Sequence, residues 1–466
     1  MNLANKNVLV LGLGDTGLSA VRWLKRCGAT LRVADSRLEA PNASRLHQEF
    51  PDVQLATGRF REETFKKVDL IVCSPGVPLS EPMLAQAIMQ GVPVAGDVEL
   101  FAQALQNSGS KVLAITGSNG KTTVTSMVGA MCLAAGLKTI VAGNIGLPVL
   151  DALLEVEAAI KRGEKEPDVY VLELSSFQLE TATTLNAEAA TVLNVSEDHL
   201  DRYAGMPEYA ATKARIFQGD GVQVLNRDDP LSMAMRLPNR TVATFGLNAP
   251  ERAGEFGITR SAGESWLAEG EQTLMPVTAL QLAGLHNAAN ALAALALCRA
   301  IGLPYASLLH ALKEFKGLPH RVEWVAEING VGFYDDSKGT NVGATEAALN
   351  GMTEKVVLIA GGEGKGQDFS PLKSAVANHA RAVVLIGRDA NKIGAAIEGC
   401  GVPVVHAASM EEAVRSSIVT AQPGDAVLLS PACASFDMFR NYEHRAQVFV
   451  NAVKAMQRAG ELEIRQ

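Results

Sequence analysis

The stretch with the clearest chemical meaning is KVLAITGSNGKTT, at residues 111–123. An apolar strand leads into a glycine-containing loop that ends in Gly120, Lys121 and Thr122. Such a loop directs backbone N–H groups and a helix N-terminus at one point, where the lysine adds charge, so the pattern predicts a site for a nucleotide's terminal phosphates. Thr122 is predicted to bind magnesium. Ile115 stands where the usual pattern has glycine, so this is a shortened phosphate loop; the alternative is a plain turn between strand and helix.

Acidic, imidazole and amide side chains follow three other predicted strands. Glu173 ends one strand, and Asp198 and His199 follow another. Because ligands collect at the carboxyl ends of parallel strands, Glu173 is a candidate magnesium ligand; the alternative is a capping or exposed carboxylate. His199 is predicted to act as a ligand or hydrogen-bond donor rather than as an ordinary satisfied histidine. Asn144, after the strand at residues 139–142, either binds substrate or forms a turn.

Two predicted helices carry further candidates. Lys213 lies in a predicted helix at residues 207–218, where a lysine is ordinarily solvated. Asn287 and Asn290 lie in the alanine-rich helix predicted at residues 286–301. Their spacing of three places both amides on one face, where they could reach a base or a ribose; the alternative is simple capping.

Lysine, hydroxyl and acidic side chains recur at strand-to-loop transitions in the last third of the chain. They are Asp336, Lys338, Thr340, Lys365, Ser435 and Tyr442. Lysines and hydroxyls at successive strand ends predict a pocket for an acidic small molecule. Each of these positions by itself fits a solvated loop equally well.

A second glycine-rich loop, GLGDTG at residues 12–17, follows the first strand of the chain. Asp35 ends the next strand about twenty residues on, which is the spacing of dinucleotide-binding proteins and predicts NAD. The glycines only allow a diphosphate to approach a helix N-terminus, so another diphosphate ligand such as a sugar nucleotide fits as well. A purely structural turn is the third alternative.

The composition limits the classes of function. The net charge of −8 and pI near 5.6 argue against a nucleic-acid partner, which requires a basic face. The six cysteines are scattered without a C-x-x-C pair, which predicts reduced thiols in a cytoplasmic protein rather than disulfides or a zinc cluster. No apolar run approaches the ~18 residues that span a bilayer, so no membrane partner is expected.

The order of the elements predicts an α/β fold in three domains. At 466 residues the chain is long enough for roughly three domains of about 150 residues each. Strands and helices alternate in each third, which predicts mainly parallel, layered sheets. The breaks predict a Rossmann-like domain at residues 1–109, a P-loop domain at 110–319 and a second Rossmann-like domain at 320–466, with residues 316–319 as a hinge that lets the third domain close over the second.

Five tracts in this order and spacing together resemble the ATP-dependent Mur ligases of peptidoglycan synthesis. They are TGSNGKTT, ELSSFQLE, NVSEDHLDRY, GLHNAANALAA and HRVE. DDSKGTN and SPACASFDMFRNYEHR are similar to those of the D-glutamate-adding branch. The resemblance implies an ADP-forming ligase that joins D-glutamate to UDP-N-acetylmuramoyl-L-alanine through an acyl phosphate. It also implies a role in cell-wall biogenesis, cell shape and cell division.

The resemblance further implies which residues form each part of the site. ATP would be bound by Gly117, Ser118, Asn119, Gly120, Lys121, Thr122, Thr123, Asn287, Asn290, Arg321 and Asp336. The UDP substrate would be bound by Gly14, Asp15, Thr16, Ser36, Arg37, Asn144 and His199. D-glutamate would be bound by Lys338, Thr340, Lys365, Ser435 and Tyr442. Two Mg²⁺ ions would be held by Thr122, Glu173, His199 and a carbamylated Lys213, and the catalytic residues would be Lys121, Glu173, His199 and Lys213.

The chain departs from the family pattern at two positions. Asp15 stands where an apolar residue is expected, which bears on the details of UDP contact, and Gly339 stands where alanine is usual. Two other classes of function stay open on the residues alone. An oxidoreductase would need a nicotinamide site, and a nucleotide-gated binding switch would need only the phosphate loop.

Overall fold

The described residues form three β-sheets with helices between the strands, which confirms the predicted α/β class. The structure is a computed structural model that describes residues 3–261, 263–282 and 284–463. Its contacts divide the chain into two compact units. Unit 1 comprises the residues up to Asn194 together with Pro207–Met275 and Ala291–Leu312, and unit 2 comprises Val195–Met206, Pro276–Asn290 and the residues from Lys313 onward.

The first sheet lies in unit 1 and is parallel, with the strand order β3-β2-β1-β4-β5. Its elements are β1 (Asn7–Leu11), α1 (Asp15–Arg26), β2 (Thr30–Asp35), α2 (Ala43–Glu49), β3 (Gln54–Thr57), α3 (Glu62–Phe65), β4 (Leu70–Cys73), α4 (Pro82–Met89), β5 (Val94–Ala95) and α5 (Asp97–Leu105). β1 and β4 are buried apolar runs because helices pack on both faces of a parallel sheet. Their carboxyl ends form the edge next to the glycine-rich loop.

The central sheet has the strand order β14-β13-β12-β11-β10-β9-β6-β8-β7. Its elements are β6 (Lys111–Thr116), α6 (Lys121–Ala134), β7 (Thr139–Gly143), α7 (Val149–Lys161), β8 (Val169–Glu173), α8 (Ser176–Leu179), β9 (Ala189–Val192), α9 (Met206–Ala214), β10 (Val222–Asn226), α10 (Pro230–Ala234), β11 (Val242–Phe245), β12 (Glu255–Ser261), β13 (Glu264–Glu269), β14 (Gln272–Pro276), α11 (Leu285–Ala300) and α12 (Tyr305–Glu314). The pairings of β6 with β8 and β9 are parallel, whereas β12 and β13 are antiparallel.

The third sheet lies in unit 2, with the strand order β15-β16-β20-β17-β18-β19. Its elements are β15 (Glu323–Ile328), β16 (Val331–Asp335), α13 (Val342–Gly351), β17 (Val356–Gly361), α14 (Leu372–His379), β18 (Ala380–Ile386), α15 (Ala390–Ala396), β19 (Val404–His406), α16 (Met410–Thr420), β20 (Ala426–Leu429) and α17 (Tyr442–Glu463). Alternate residues of β17 enter two different cores: Leu358 packs in one, and Val357 and Ile359 pack in the other. This sheet is therefore buried on both faces, and only β15 runs antiparallel to its neighbour β16.

Side-chain contacts join the first two sheets within unit 1. Arg22 on α1 donates to Asp151 on α7 at 3.1 Å, and Gln178 on α8 donates to Asp97 on α5 at 2.9 Å. Asp97 is buried, and its Oδ1 accepts no hydrogen bond. Glu99, also on α5, accepts hydrogen bonds from the backbone of residues 183 and 184. Helix α5 is thereby fixed to the central sheet.

Most of the predicted elements that position candidate residues are present, with shifted ends. The helix expected after the phosphate loop begins at Lys121, and the helix predicted at 207–218 ends at Ala214, where a 3₁₀ turn follows. The strand predicted at 190–195 ends at Val192. Strands β11 to β14 were not predicted, because polar and charged residues interrupt them and leave no continuous apolar run.

Candidate active site

The phosphate loop lies between β6 and α6, as predicted. Gly120 is the residue before the first helical position and has φ +82, a left-handed conformation that favours glycine because it lacks a Cβ. The chain therefore turns sharply, and α6 starts at Lys121 with its N-terminus at the end of β6. The first-turn N–H groups of a helix have no acceptor within the helix, so they are available to an anion.

Asn194, the second residue after β9, fixes the other half of this loop. Its carbonyl accepts from the N–H of Ser118 at 2.9 Å, and its Oδ1 accepts from the N–H of Asn119 at 2.8 Å. Its amide group donates back to the Asn119 carbonyl at 3.1 Å. These two loop N–H groups are thus directed at Asn194. The backbone N–H groups available to a phosphate are therefore those at the N-terminus of α6.

Two lysines converge on one carbonyl oxygen of this loop. The ammonium group of Lys121 donates to the Gly117 carbonyl at 2.8 Å, and that of Lys213 donates to the same oxygen at 2.9 Å. Lys213 is only 1% exposed, and its Nζ lies 4.5 Å from the centre of the Tyr209 ring. The alternative of a solvated helix-surface lysine is therefore wrong. The tyrosine hydroxyl in turn lies 3.3 Å from Oγ of Ser118, which ties α9 to the loop.

Glu173 ends β8 beside the phosphate loop, because it pairs in register with Ile115 of β6. The carboxylate is 1% exposed; Oε1 accepts from the amide of Asn144 at 2.8 Å, and Oε2 is buried without a hydrogen-bond partner. A buried carboxylate oxygen that lacks a partner is costly, and a divalent cation relieves that cost. The alternative of a capping or exposed carboxylate is wrong, since the residue that caps α8 is Ser175.

His199 lies in the segment Val195–Met206, which belongs to unit 2. It has φ +57, its N–H donates to Oδ1 of Asp198 at 3.0 Å, and its Nε2 lies 3.5 Å from Oδ2 of the same carboxylate. Asp198 therefore orients both the backbone and the ring of the histidine. Joint metal ligation by His199 with Thr122, Glu173 and Lys213, which lie in unit 1, stays a prediction.

The glycine-rich loop of the first sheet is closed by Asp35. Its Oδ2 accepts from the N–H of Leu13 at 2.7 Å, and its carboxylate accepts from Nε and Nη2 of Arg37 at 2.8 and 2.6 Å. Burial opposes ionisation of this carboxyl, but these hydrogen bonds outweigh it and lower the pKa of Asp35 to about 2. In the NAD interpretation this carboxylate would bind a ribose, yet here it is 1% exposed and bonded to the loop itself.

The predicted UDP residues cluster around that closed loop, except for Asn144 and His199. Gly14 precedes α1, and Asp15 is the exposed first residue of the helix, where it accepts a hydrogen bond from Asn42 at 3.2 Å. Ser36 and Arg37 are exposed at the end of β2. Thr16 lies half-buried in the first turn of α1. Asn144 instead lies beside Glu173 on the central sheet.

The predicted nucleotide residues of unit 2 lie on α11, just before β15 and just after β16. The amide of Asn290 donates to Oδ1 of Asn287 at 3.3 Å, so the two amides share one face of α11 as their spacing predicted. Asp336 accepts from the hydroxyl of Ser430 at 2.7 Å. Burial raises the pKa of Asp336 to about 7, although the hydrogen bond from Ser430 and the charge of Arg321 oppose this shift.

Gly339 leaves no room for the alanine that is usual in the family. A Cβ at this position would lie 2.6 Å from Oδ2 of Asp336 and 2.8 Å from the hydroxyl of Ser430. Both atoms belong to the hydrogen bond described above. The departure from the family pattern therefore matters more than the sequence indicated, because this chain packs the bond directly against the glycine.

The predicted glutamate residues lie on the loops after β16, β17 and β20 and at the start of α17, and a buried arginine links two of these loops. Arg445 is fully buried; its guanidinium group donates to the hydroxyl and carbonyl of Ser337 at 3.0 and 2.8 Å and to the carbonyl of Cys433 at 3.0 Å. Burial lowers the pKa of Arg445 to about 10. Lys338 follows one of these loop residues, and its Nζ lies 3.7 Å from the centre of the Tyr442 ring. Ser435 is buried in the other loop.

Lys365 and Thr340 complete the predicted set. Lys365 is half-buried with φ +50, in a loop where Glu363 exchanges two backbone hydrogen bonds with Ala434, each 2.9 Å long. The N–H of Thr340 donates to the carbonyl of Lys338 at 2.9 Å. The structure thus brings the predicted glutamate residues onto neighbouring loops of the third sheet.

Comparison with known proteins assigns the family. Three protein-family models match: Mur ligase MurD-like, N-terminal domain, at residues 6–96, Mur ligase middle domain at 115–298, and Mur ligase, glutamate ligase domain, at 320–433. The UDP-N-acetylmuramoylalanine--D-glutamate ligase of Methylobacillus flagellatus is 59% identical over 458 residues, which cover 98% of this chain and 99% of that protein. The chain belongs to the Mur ligase family. A Thiobacillus denitrificans protein of the same name is 60% identical, with 98% of each chain covered.

Solved Mur ligase structures share the fold. The UDP-N-acetylmuramate-alanine ligase MurC of Thermotoga maritima has a TM-score of 0.60 and 20% identity, with 97% of this chain and 100% of that chain covered. MurF of Acinetobacter baumannii has a TM-score of 0.60 and 18% identity, with 96% and 91% covered. At these identities the similarity shows the three-domain α/β architecture alone.

Asn194 and Arg445 are the two residues of this Mur ligase site that the sequence analysis missed. Asn194 had a signal, since it lies near the end of the predicted strand that leads to Asp198 and His199, at the same sheet edge as the other candidates. Arg445 had none, because an arginine in a helix is ordinarily solvated. Each of the six cysteines is a free thiol, and no helix in the described ranges combines the length and apolar character needed to cross a membrane.

Proposed function

We propose that this Mur ligase joins D-glutamate to UDP-N-acetylmuramoyl-L-alanine, with conversion of ATP to ADP and phosphate, as a step in peptidoglycan precursor synthesis. One observation carries the proposal. A phosphate loop with two converging lysines lies next to a buried glutamate with a partnerless oxygen, in a chain that matches D-glutamate ligases over its whole length. This arrangement suits phosphoryl transfer to a carboxylate.

The reaction needs ATP because a carboxylate is a poor electrophile with a poor leaving group. Attack of the alanyl carboxylate on the γ-phosphorus forms an acyl phosphate and releases ADP. The amine of D-glutamate then attacks the acyl carbon, loses a proton, and displaces phosphate as the amide bond forms.

The first step brings together groups of like charge. Two unit charges 4 Å apart interact by about 4 kcal/mol at an effective dielectric constant of 20, so a carboxylate that meets a triphosphate is strongly repelled. Lys121 and the N-terminus of α6 supply positive charge to the β- and γ-phosphates, together with the loop residues Gly117 to Thr123. Bound Mg²⁺ would supply further charge neutralisation.

The residues of unit 1 fit a divalent cation. Glu173 offers its partnerless Oε2, and Thr122 in the first turn of α6 offers a hydroxyl. We propose that these two, His199 and a carbamylated Lys213 hold two Mg²⁺ ions.

Carbamylation is compatible with the hydrogen bond of Lys213 to the Gly117 carbonyl. A free ammonium repels a cation, whereas a carbamate is an anion. The modified Nζ keeps one hydrogen, so its bond to the carbonyl of Gly117 can persist. Catalysis is assigned to Lys121, Glu173, His199 and Lys213.

The remaining residues are assigned to the three substrates. Asn287, Asn290, Arg321 and Asp336 would bind ATP. Gly14, Asp15, Thr16, Ser36, Arg37, Asn144 and His199 would bind the UDP substrate, with the diphosphate at the N-terminus of α1. Lys338, Thr340, Lys365, Ser435 and Tyr442 would hold the two carboxylates of D-glutamate. The domain limits 1–109, 110–319 and 320–466 and a cytoplasmic location belong to the same proposal.

Phosphate release tests this function. The purified protein is given ATP, Mg²⁺ and UDP-N-acetylmuramoyl-L-alanine with a panel of amino acids that includes both glutamate enantiomers. Release that requires both the UDP substrate and D-glutamate is expected. Release with either substrate alone would indicate a nucleotide switch, and a fluorescence change of NADH on mixing would indicate an oxidoreductase.

A further inference from the structure

The turn that carries Arg321 has a conformation that its own residues disfavour. His320 has φ +64 and Val322 has φ +49, so left-handed residues flank the arginine on both sides. For a β-branched residue this region is a steric outlier. Such backbone persists only where surrounding contacts hold it, and it is concentrated at functional sites.

The imidazole of His320 is the main anchor of this turn. Its Nδ1 lies 2.7 Å from Oδ2 of Asp335, a carboxylate that is 1% exposed at the end of β16. The other oxygen of Asp335 accepts from the N–H of Ser337 at 2.9 Å. The N–H of His320 donates to Glu323 at 2.8 Å. One buried carboxylate therefore binds the turn and the loop after β16 at the same time.

Further contacts join the turn to the loop after β16. The N–H of Lys338 donates to the carbonyl of His320 at 3.2 Å. The ring of Tyr442 lies edge-on to His320, with centroids 6.2 Å apart, and also 3.7 Å from Nζ of Lys338. The turn and the loop are thus cross-linked on both sides.

A metal ion is the other interpretation of this cluster. Ligand atoms of His320, Glu323 and Asp335 lie within 4.8 Å of one another. Each of those atoms already takes part in a hydrogen bond that closes the turn, and a separation of 2.7 Å between imidazole and carboxylate is that of a direct bond. The arrangement is therefore a hydrogen-bonded clamp.

We propose that His320 and Asp335 are positioning residues that hold Arg321 and Lys338 in a fixed arrangement. Binding of the nucleotide and of D-glutamate is then coupled through the contact between His320 and Asp335. The inference rests on the proposed function, which assigns Arg321 to ATP and Lys338 to D-glutamate. Loss of the clamp lets the strained turn relax, which displaces both side chains together. The UDP substrate, assigned mainly to residues of the first sheet, is unaffected.

Steady-state kinetics of Asp335→Ala test the clamp. The KM values for ATP and for D-glutamate are expected to rise together by about tenfold or more, because displacement of a positioning group by about 1 Å can cost a hundredfold. The KM for the UDP substrate is expected to stay within about twofold of the wild-type value. It serves as the internal comparison, because the clamp does not hold the residues assigned to that substrate. Asp335→Asn keeps only one of the two oxygen acceptors, so it is expected to raise the two KM values less than Asp335→Ala does.

Asp425→Asn is the matched control. Asp425 is also buried in the third sheet, where Arg381 donates to it at 2.8 Å, but it has no contact with the turn. It is expected to lower thermal stability without a change in either KM. His320→Gln gives a second reading if Asp335→Ala does not fold, and it is expected to raise the same two KM values.

The possible outcomes distinguish a failure of the clamp proposal from a failure of the proposed function. A rise in only one of the two KM values, unchanged values in both Asp335→Ala and His320→Gln, or the same rise in Asp425→Asn would overturn the clamp. A wild-type protein whose phosphate release does not depend on D-glutamate would instead overturn the proposed function.

Discussion

The side-chain amide of Asn144 and the carboxylate of Glu173 form a fixed pair at the edge of the central sheet. The amide donates to Oε1 at 2.8 Å, and the N–H of Asn144 donates to the carbonyl of Glu173 at 2.8 Å. Both bonds hold the carboxylate so that Oε2 keeps its position without a partner of its own. The pair would therefore orient Oε2, the proposed metal ligand, before Mg²⁺ binds.

Replacement of Glu173 by Gln is expected to lower kcat by at least about a hundredfold, because the free oxygen and its charge are both lost at a charged transition state. Phosphate release at saturating ATP measures this. Asn144→Ala leaves the charge of Glu173 in place but removes the hydrogen bond that orients its carboxylate. A loss of kcat of about ten- to a hundredfold is therefore expected, with part of it recovered at higher Mg²⁺. Equal activity in wild type and Glu173→Gln would remove Glu173 from the metal site.

Lys213→Ala is expected to be nearly inactive and to regain activity with added short carboxylic acids. The truncation leaves space beside the Gly117 carbonyl, and a small carboxylate can supply the anion that a carbamate would provide. The measurement is phosphate release against acid concentration, with Lys121→Ala as the variant that no acid restores. Absence of rescue at every concentration would count against carbamylation.

Asn194→Ala is expected to raise the KM for ATP about ten- to a hundredfold, since the N–H of Asn119 loses its acceptor and the carbonyl of Asn119 loses its donor. The carbonyl of residue 194 remains, so the loop is loosened rather than lost. Initial rates across an ATP series measure the effect, and the KM for D-glutamate is the internal control. A proportional change in both KM values would point to general misfolding.

Asp336 is expected to make stability depend on pH. Its pKa of about 7 in the folded protein lies above the ordinary 3.8, so the folded state binds the proton more tightly than the unfolded state. The contribution of Asp336 to the free energy of unfolding is therefore complete below the ordinary pKa. It falls as pH rises toward the folded pKa, by at most about 1.4 kcal/mol for each pH unit. Melting temperatures of wild type and Asp336→Asn are measured without ligands across this pH window. The melting temperature of the wild type should fall relative to that of the variant as pH rises. A constant gap would show that Asp336 does not titrate there.

Much of the fold could be predicted because strong local signals agree with it. The buried strands β1, β6, β8 and β20 are continuous apolar runs, and a parallel sheet buried on both faces requires such runs. The segment from β11 to β14 could not be predicted, because polar and charged residues interrupt its apolar positions and its strands owe their pairing to neighbours.

The candidate site, like the fold, could be predicted from the sequence only in part. Lys121 and Glu173 were found from position alone, since strand ends of a parallel sheet gather at one edge. The burial of Lys213 could not be read from the helix pattern, because it depends on the distant carbonyl of Gly117 and on Tyr209. The strained turn at His320 was invisible for the same reason, since its cause is a carboxylate fifteen residues away.

The contacts of helix α5 and of Arg22 make the first two sheets interdependent. A fragment that starts at residue 110 would strip Gln178 of its buried carboxylate partner and uncover the face of the central sheet on which α5 packs. Dissection of this enzyme into a free-standing nucleotide module should accordingly fail. A cut on the C-terminal side of α12 would keep the third sheet whole, but it would also detach that sheet from the unit 2 segments Val195–Met206 and Pro276–Asn290, which come earlier in the chain.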